Sequence, residues 1–300
     1  MVAVSLKKKG EGGIERIAAD WRAVIADPEV DAVCIGTWPY LHTEASVAAL
    51  EAGKHVLTEA RMAATLPEAR EMLRVAEAHP GQVAQVVPSP FTLDMDATVR
   101  ELLDRKVLGE IREVHVAHAT GALLDPAAPL GWRQDPRYSG INLLTLGICH
   151  EVILRWLDQQ VEVCSVEAET FVKERVHWET GERTPVKVPD CLHLLGRLPG
   201  GALARYHISG VEPGPARHAI RLVGSQAGLR ADLNTGALFL RSVSGEERPV
   251  EIPEGTRRGW RVEADFIESI RTGRPVKLTS FAEGVRYMEF TDAVHQRLPR

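Results

Sequence analysis

From the N-terminus to Val87, short apolar runs rich in β-branched residues alternate with stretches of helical spacing. Val2–Leu6 reads as a first strand. Ile14–Ala26 places Ile14, Ile17, Trp21, Val24 and Ile25 on one helical face and ends at Asp27-Pro28. Asp31–Gly36 (DAVCIG) reads as a buried parallel strand. Thr43–Ala52 reads as a helix closed by Gly53, His55–Thr58 as a strand, Leu66–Ala78 as a helix and Val83–Val87 as a further strand. Such alternation folds as a parallel, doubly wound sheet with right-handed crossovers, an α/β architecture.

The pattern changes after Pro88-Ser89-Pro90. A helix is expected over Asp94–Lys106 and a long strand over Glu110–Ala119. A loop rich in Pro, Gly and Asp follows at Ala122–Gly140, then an apolar helix at Ile141–Leu157. Strand-like runs follow at Val161–Val172, Asp190–Leu198, Ala202–Ser209, His218–Val223, Gly228–Leu233 and Ala237–Ser242, parted by turn residues. They imply a mainly antiparallel sheet. Helices at Glu263–Thr272 and Ala282–Arg297 close the chain. The expected division is an α/β domain over 1–88 and an α+β domain over 89–300.

Composition narrows the function. The 300 residues are 44% hydrophobic and 26% charged, which excludes disorder of the whole chain. A net charge of −5 gives no reason to expect nucleic acid as a partner. No apolar run approaches the ~18–20 residues that cross a bilayer. The opening MVAVSLKKKGEGG places its charges after the apolar segment, the reverse of a signal peptide, so a cytoplasmic protein is expected. Four scattered cysteines without a CxxC pair argue against a zinc or disulfide framework. His115 and His118 fall on opposite faces of one strand, and His177, His193, His207 and His218 on separate elements. No metal site is expected.

The string DPEVDAVCIGTWPYLHTEASVAALEAGKHVLTEARMA over Asp27–Ala63 resembles the Gfo/Idh/MocA family of nicotinamide-dependent oxidoreductases. Gly131-Trp132-Arg133, Ser139–Glu151, GWRVEADFIESIRTG and SFAEGVRYMEF agree with it, so the resemblance covers almost the whole chain. It implies a Rossmann domain followed by an α+β domain whose open sheet supports a homodimer or homotetramer. It also implies NAD or NADP as cofactor, and hydride transfer on a sugar, cyclitol or related polyol. Thr37, Trp38, Pro39 and His42, at the end of a parallel strand, are then expected to line the cofactor cleft with Glu59, Trp132 and Arg133.

Three departures qualify that expectation. The first strand, GxGxxG turn and helix of a dinucleotide site are not found ahead of the strand at Val2–Leu6, and Gly10–Gly13 does not replace them. Either the gene start is misplaced or dinucleotide binding is weakened. Lys7-Lys8-Lys9, with no acid at Ser5 or Leu6, leans towards NADP, or is a solvated run. The family's Glu-Lys-Pro reads Glu59-Ala60-Arg61, so its catalytic lysine is an alanine. Arg61 stays protonated and offers charge but no general base. Anchored on Gly147, the family's aspartate and histidine fall on Thr145 and Cys149, with His150 one residue late. The candidate catalytic groups are therefore His150, Cys149, Glu59 and Arg61. A pseudo-oxidoreductase used for ligand sensing or assembly, and a non-redox sugar-modifying enzyme, stay open beside hydride transfer.

Overall fold

The β-branched runs of the first third pair side by side: Ala32–Ile35 (β1), His55–Thr58 (β2) and Ala84–Val86 (β3) form a parallel sheet in the order β1-β2-β3. The computed structural model describes residues 16–299. Val2–Leu6, Lys7–Lys9 and Gly10–Gly13 lie outside the described residues. The first helix, α1, is shorter than its apolar spacing suggested. It runs Trp21–Ala26 because the Asp20 side chain accepts the Arg22 N–H and caps it there. Pro39–Glu51 (α2) and Leu66–Ala78 (α3) complete the crossovers. At α3 a capping box fixes the start: Thr65 Oγ1 accepts from the Glu68 N–H, and the Glu68 carboxylate accepts from the Thr65 N–H.

The second unit holds Asp96–Asp104 (α4), Ile111–Ala119 (β4), Leu146–Leu157 (α6) and the strands that follow; the short helix Pro136–Ser139 (α5), met between β4 and α6 in the chain, belongs to the first unit from Arg137 on. The strands are Glu162–Glu169 (β5), Glu174–Val176 (β6), Arg183–Pro185 (β7), Cys191–Arg197 (β8), Leu203–Ser209 (β9), Arg217–Gly224 (β10), Ala227–Asp232 (β11), Ala237–Ser242 (β12) and Glu247–Val250 (β13). All but β6 and β7 join β4 in one sheet, ordered β13-β12-β11-β10-β4-β9-β8-β5. Every pairing is antiparallel except β4 with β9, which is parallel. Side chains alternate across it. Val114, Val116, Leu192, Tyr206, Ile220 and Leu222 bury one face in a core shared with Leu146, Val152, Ile153 and Trp156 of α6. Each such side chain contributes about 1.5–3 kcal/mol on burial. The opposite face carries His115, His193, Arg205, His207 and Arg221 around a hollow of about 720 Å³.

Register also corrects the reading of the histidines as unrelated. His193 faces His207 across β8 and β9 with rings 4.3 Å apart, and His118 stacks on His218 at 3.7 Å. Helix α6 starts five residues later than expected. Gly140 takes φ +62° and Leu144 φ +47°, which breaks a continuous helix. A Cβ on Gly140 would stand 2.0 Å from the Ala64 carbonyl oxygen, so that backbone approach requires glycine.

The linear division at residue 88 needs a correction. The first compact unit takes residues up to Pro88 together with Arg137–Ile141 and Arg261–Glu289. Val262–Thr272 (α7) returns to it because Val262 and Phe266 pack on Leu57 and Val87. Phe281–His295 (α8) brings the Tyr287 hydroxyl, which accepts the Met62 N–H at 2.5 Å. Among the described residues no helix is long and apolar enough to cross a membrane.

Candidate functional site

The chain leaves β1 through Gly36-Thr37-Trp38, and Pro39 occupies the first turn of α2, where its missing N–H costs nothing. One turn on, His42 is fully buried. Its Nδ1 lies 2.9 Å from the Arg61 carbonyl and its Nε2 2.9 Å from the Thr37 carbonyl. Burial holds its pKa below the ordinary histidine value; the carbonyls of Thr37, Arg61 and Met62 oppose this, and the Arg61 charge adds to it. A neutral imidazole carries one N–H, so His42 donates to one of these carbonyls and packs against the other between the loops after β1 and β2. His42→Ala is expected to cost the first unit about 2–3 kcal/mol, since one buried carbonyl loses its donor and a void opens. Chemical denaturation measures this, and an unchanged midpoint would mean that the loops hold without the imidazole.

Three ionisable side chains meet at the same end of the sheet. The Glu59 backbone N–H donates to the Ile35 carbonyl at 2.9 Å, which places its carboxyl beside β1. Partial burial raises that carboxyl's pKa, the Ala60 N–H lowers it, and Glu263 at the start of α7 raises it again. The Cys34 thiol is pushed up by burial, then by Glu263 and Glu59. Ala60 brings no polar group. Arg61 is buried at 5% exposure, so little of its guanidinium meets solvent. Trp38 is not an open platform: Tyr138 of α5 meets it edge-on at 4.8 Å and also meets Tyr40 at 5.5 Å. The groups here are carboxyls that accept from hydroxyls, and aromatic rings. They suit the ribose and nicotinamide part of a dinucleotide. A glycine-rich phosphate turn is not among the described residues.

In the second unit, Trp132 and Arg133 lie in a short 3₁₀ turn, with the guanidinium 4.1 Å over the indole. Burial lowers the Arg133 pKa. The β6–β7 hairpin, too short and polar to be seen in the sequence, straps this loop. Buried Arg175 donates to the carbonyls of Leu123, Asp125 and Ala128, and His177 pairs with Asp135 at 3.1 Å. Thr145 is the N-cap residue of α6. Cys149 and His150 point into the core. His150 is fully buried, stacks on Phe290 at 3.6 Å, and has Nδ1 2.8 Å from the Tyr206 hydroxyl and Nε2 2.8 Å from Gln160 Oε1. Glu151 accepts the Ser89 N–H.

Of the residues singled out in the sequence, Thr37, Trp38, Pro39, His42, Glu59 and Arg61 gather at one end of the parallel sheet. Trp132 and Arg133 sit on the strapped loop. Cys149 and His150 join neither group: core packing takes both. Cys34, Tyr138 and Glu263 were missed. They reach this end of the sheet from distant segments, and no local pattern marks them.

The family model described as "Oxidoreductase family, NAD-binding Rossmann fold" matches residues 10–86, and that for the GFO/IDH/MocA C-terminal domain matches residues 97–230. Levoglucosan dehydrogenase of Pseudarthrobacter phenanthrenivorans is 26% identical over 204 residues, 64% of this chain and 52% of that protein. The 1,5-anhydro-D-fructose reductase of Ensifer adhaerens is 32% identical over 148 residues, 49% of this chain and 43% of that protein. The chain thus spans about half the length of these curated relatives. The solved structure of levoglucosan dehydrogenase with NADH and L-sorbose superposes with a TM-score of 0.84 at 22% identity, over 93% of this chain and 81% of that one, which shows a common fold.

Proposed function

The chain belongs to the Gfo/Idh/MocA oxidoreductase family, and from that membership we propose that it binds a nicotinamide dinucleotide at the C-terminal ends of β1 and β2 and serves hydride transfer at a carbon of a sugar, cyclitol or related polyol. The observation that carries this reading is the gathering of Thr37, Trp38, His42 and Glu59 at the end of a parallel sheet where open α/β folds take their ligands. When bound, the nicotinamide supplies the hydride donor or acceptor. The chain's own residues bind and orient. Glu59 accepts hydrogen bonds from hydroxyls, and partial burial raises its pKa above the ordinary carboxylate value. Trp38 and Tyr138 shield that end from water, and His42 keeps the two loops in place. In the second unit, Arg133 offers a planar cation suited to an oxyanion.

The names of the relatives, a sugar dehydrogenase and a sugar reductase, support the substrate class. The neighbour solved with NADH makes NAD(H) the first cofactor to test, and Lys7–Lys9 makes NADP(H) the second. Fluorescence titration with each is expected to give micromolar binding of at least one, weakened about tenfold in Glu59→Ala, the loss of one hydrogen bond to a charged group. Absence of binding by both would overturn the reading. We further propose that copies associate through the exposed face of the eight-stranded sheet. A second functional reading, a ligand-binding relative without turnover, is favoured by Ala60 at the position where the family carries its lysine.

A further inference from the structure

On the exposed sheet face, Cys191 and His193 stand two residues apart on β8, and His207 lies directly across from His193 on β9. Side chains two apart on a strand share a face, so all three project the same way. The two imidazoles are nearly parallel, 7° apart in plane, with centroids 4.3 Å apart. One ligand atom from each of the three residues lies within 4.8 Å of the other two. Tetrahedral zinc, with bonds of roughly 2.0–2.3 Å, brings its donors to about 3.4 Å of one another, so closing the set needs the two stacked rings to turn out of parallel and aim their in-plane lone pairs at the ion.

We propose that Cys191, His193 and His207 form a binding site for a divalent transition-metal ion, zinc foremost, with a fourth position open to the hollow lined by His115, Arg205 and Arg221. A thiolate with two imidazoles selects zinc-like ions over magnesium or calcium. Three protein ligands and one open position form the donor count of exchangeable zinc sites, with water or an anion completing the sphere. The surroundings provide an orienting partner. Glu212 Oε2 lies 3.9 Å from His207 Nε2, near enough that a small shift of its carboxylate would let it accept that N–H with Nδ1 towards the ion. Arg217 donates to His207 Nδ1 at 3.3 Å, but holds Glu212 by two shorter bonds of 2.6 and 2.7 Å. The ion therefore displaces the weakest of its three contacts. Cys191 gives up its thiol proton to solvent as the metal–sulfur bond forms. Self-association over this face would change the fourth ligand and leave the three in place.

Tag-free protein stripped with a chelator and titrated with Co²⁺ tests this. One ion per chain, a thiolate-to-cobalt charge-transfer band and its loss on adding Zn²⁺ are expected. Cys191→Ser should abolish the band, and His207→Ala should weaken binding by more than about 100-fold, since losing a ligand costs more than losing a supporting partner. Cys164→Ser, at the exposed thiol of β5, should leave both unchanged. His193→Asn, at an exposed position, gives the same test if Cys191→Ser fails to fold. A wild-type titration without the band, or a band that survives Cys191→Ser, overturns the site.

Discussion

His150→Ala is expected to cost the second unit about 4 kcal/mol of stability, among the larger effects of a single core substitution. His150 Nδ1 hydrogen-bonds the Tyr206 hydroxyl and its Nε2–H donates to Gln160 Oε1. Burial holds that hydroxyl protonated, far above the usual tyrosine range. Alanine takes from the buried Tyr206 hydroxyl its His150 partner, about 1–3 kcal/mol at most, removes one hydrogen bond of part-buried Gln160, and empties the space against Phe290. His150→Gln restores part of the hydrogen bonding and should recover about half of the loss. Denaturation followed by far-UV circular dichroism measures both. A stable variant that has lost turnover would instead return His150 to proton transfer.

Ala60→Lys is expected to raise kcat/KM for polyol oxidation by about 100-fold or more, the scale of one positioned acid–base or oxyanion-stabilising group. The wild-type chain presents Glu59 beside a half-buried alanine and a buried Arg61. An ammonium at position 60 would stand next to the Glu59 carboxyl and supply the movable positive charge that Arg61 keeps out of solvent. Steady-state assays with levoglucosan and inositol, with either oxidised nicotinamide, provide the readout. If the variant binds nicotinamide like the parent and is no faster, the family's lysine chemistry does not explain this site.

Elements whose ends are set by local chemistry were legible in the sequence. Helix α3 was bounded correctly, and its start rests on the Thr65–Glu68 box; β2 was bounded by Gly53 and the polar stretch after Thr58. Elements whose ends depend on distant contacts were not. Helix α6 loses its expected first turn because Gly140 must approach Ala64. Strands β6, β7 and β13 are short and polar, so period-two alternation does not mark them, yet β6 places Arg175 under the loop that carries Arg133. At the candidate site, the motif residues of the loops after β1 and β2 were legible. Their neighbours Cys34, Tyr138 and Glu263 were not, because the fold alone brings them there. The Cys-x-His spacing at 191–193 was visible, but its third member depended on the β8–β9 register.

Strands β9 and β10 are consecutive in the chain, yet they do not pair: β4, made some eighty residues earlier, lies between them. On a ribosome β4 therefore waits, with Val114 and Val116 uncovered, until both neighbours have emerged. If β9 and β10 close on each other first, the resulting hairpin has to reopen before β4 can enter. Assembly of the sheet is thus gated by closing a long loop rather than by local steps, which slows folding and lengthens the time its apolar strands are exposed to other chains.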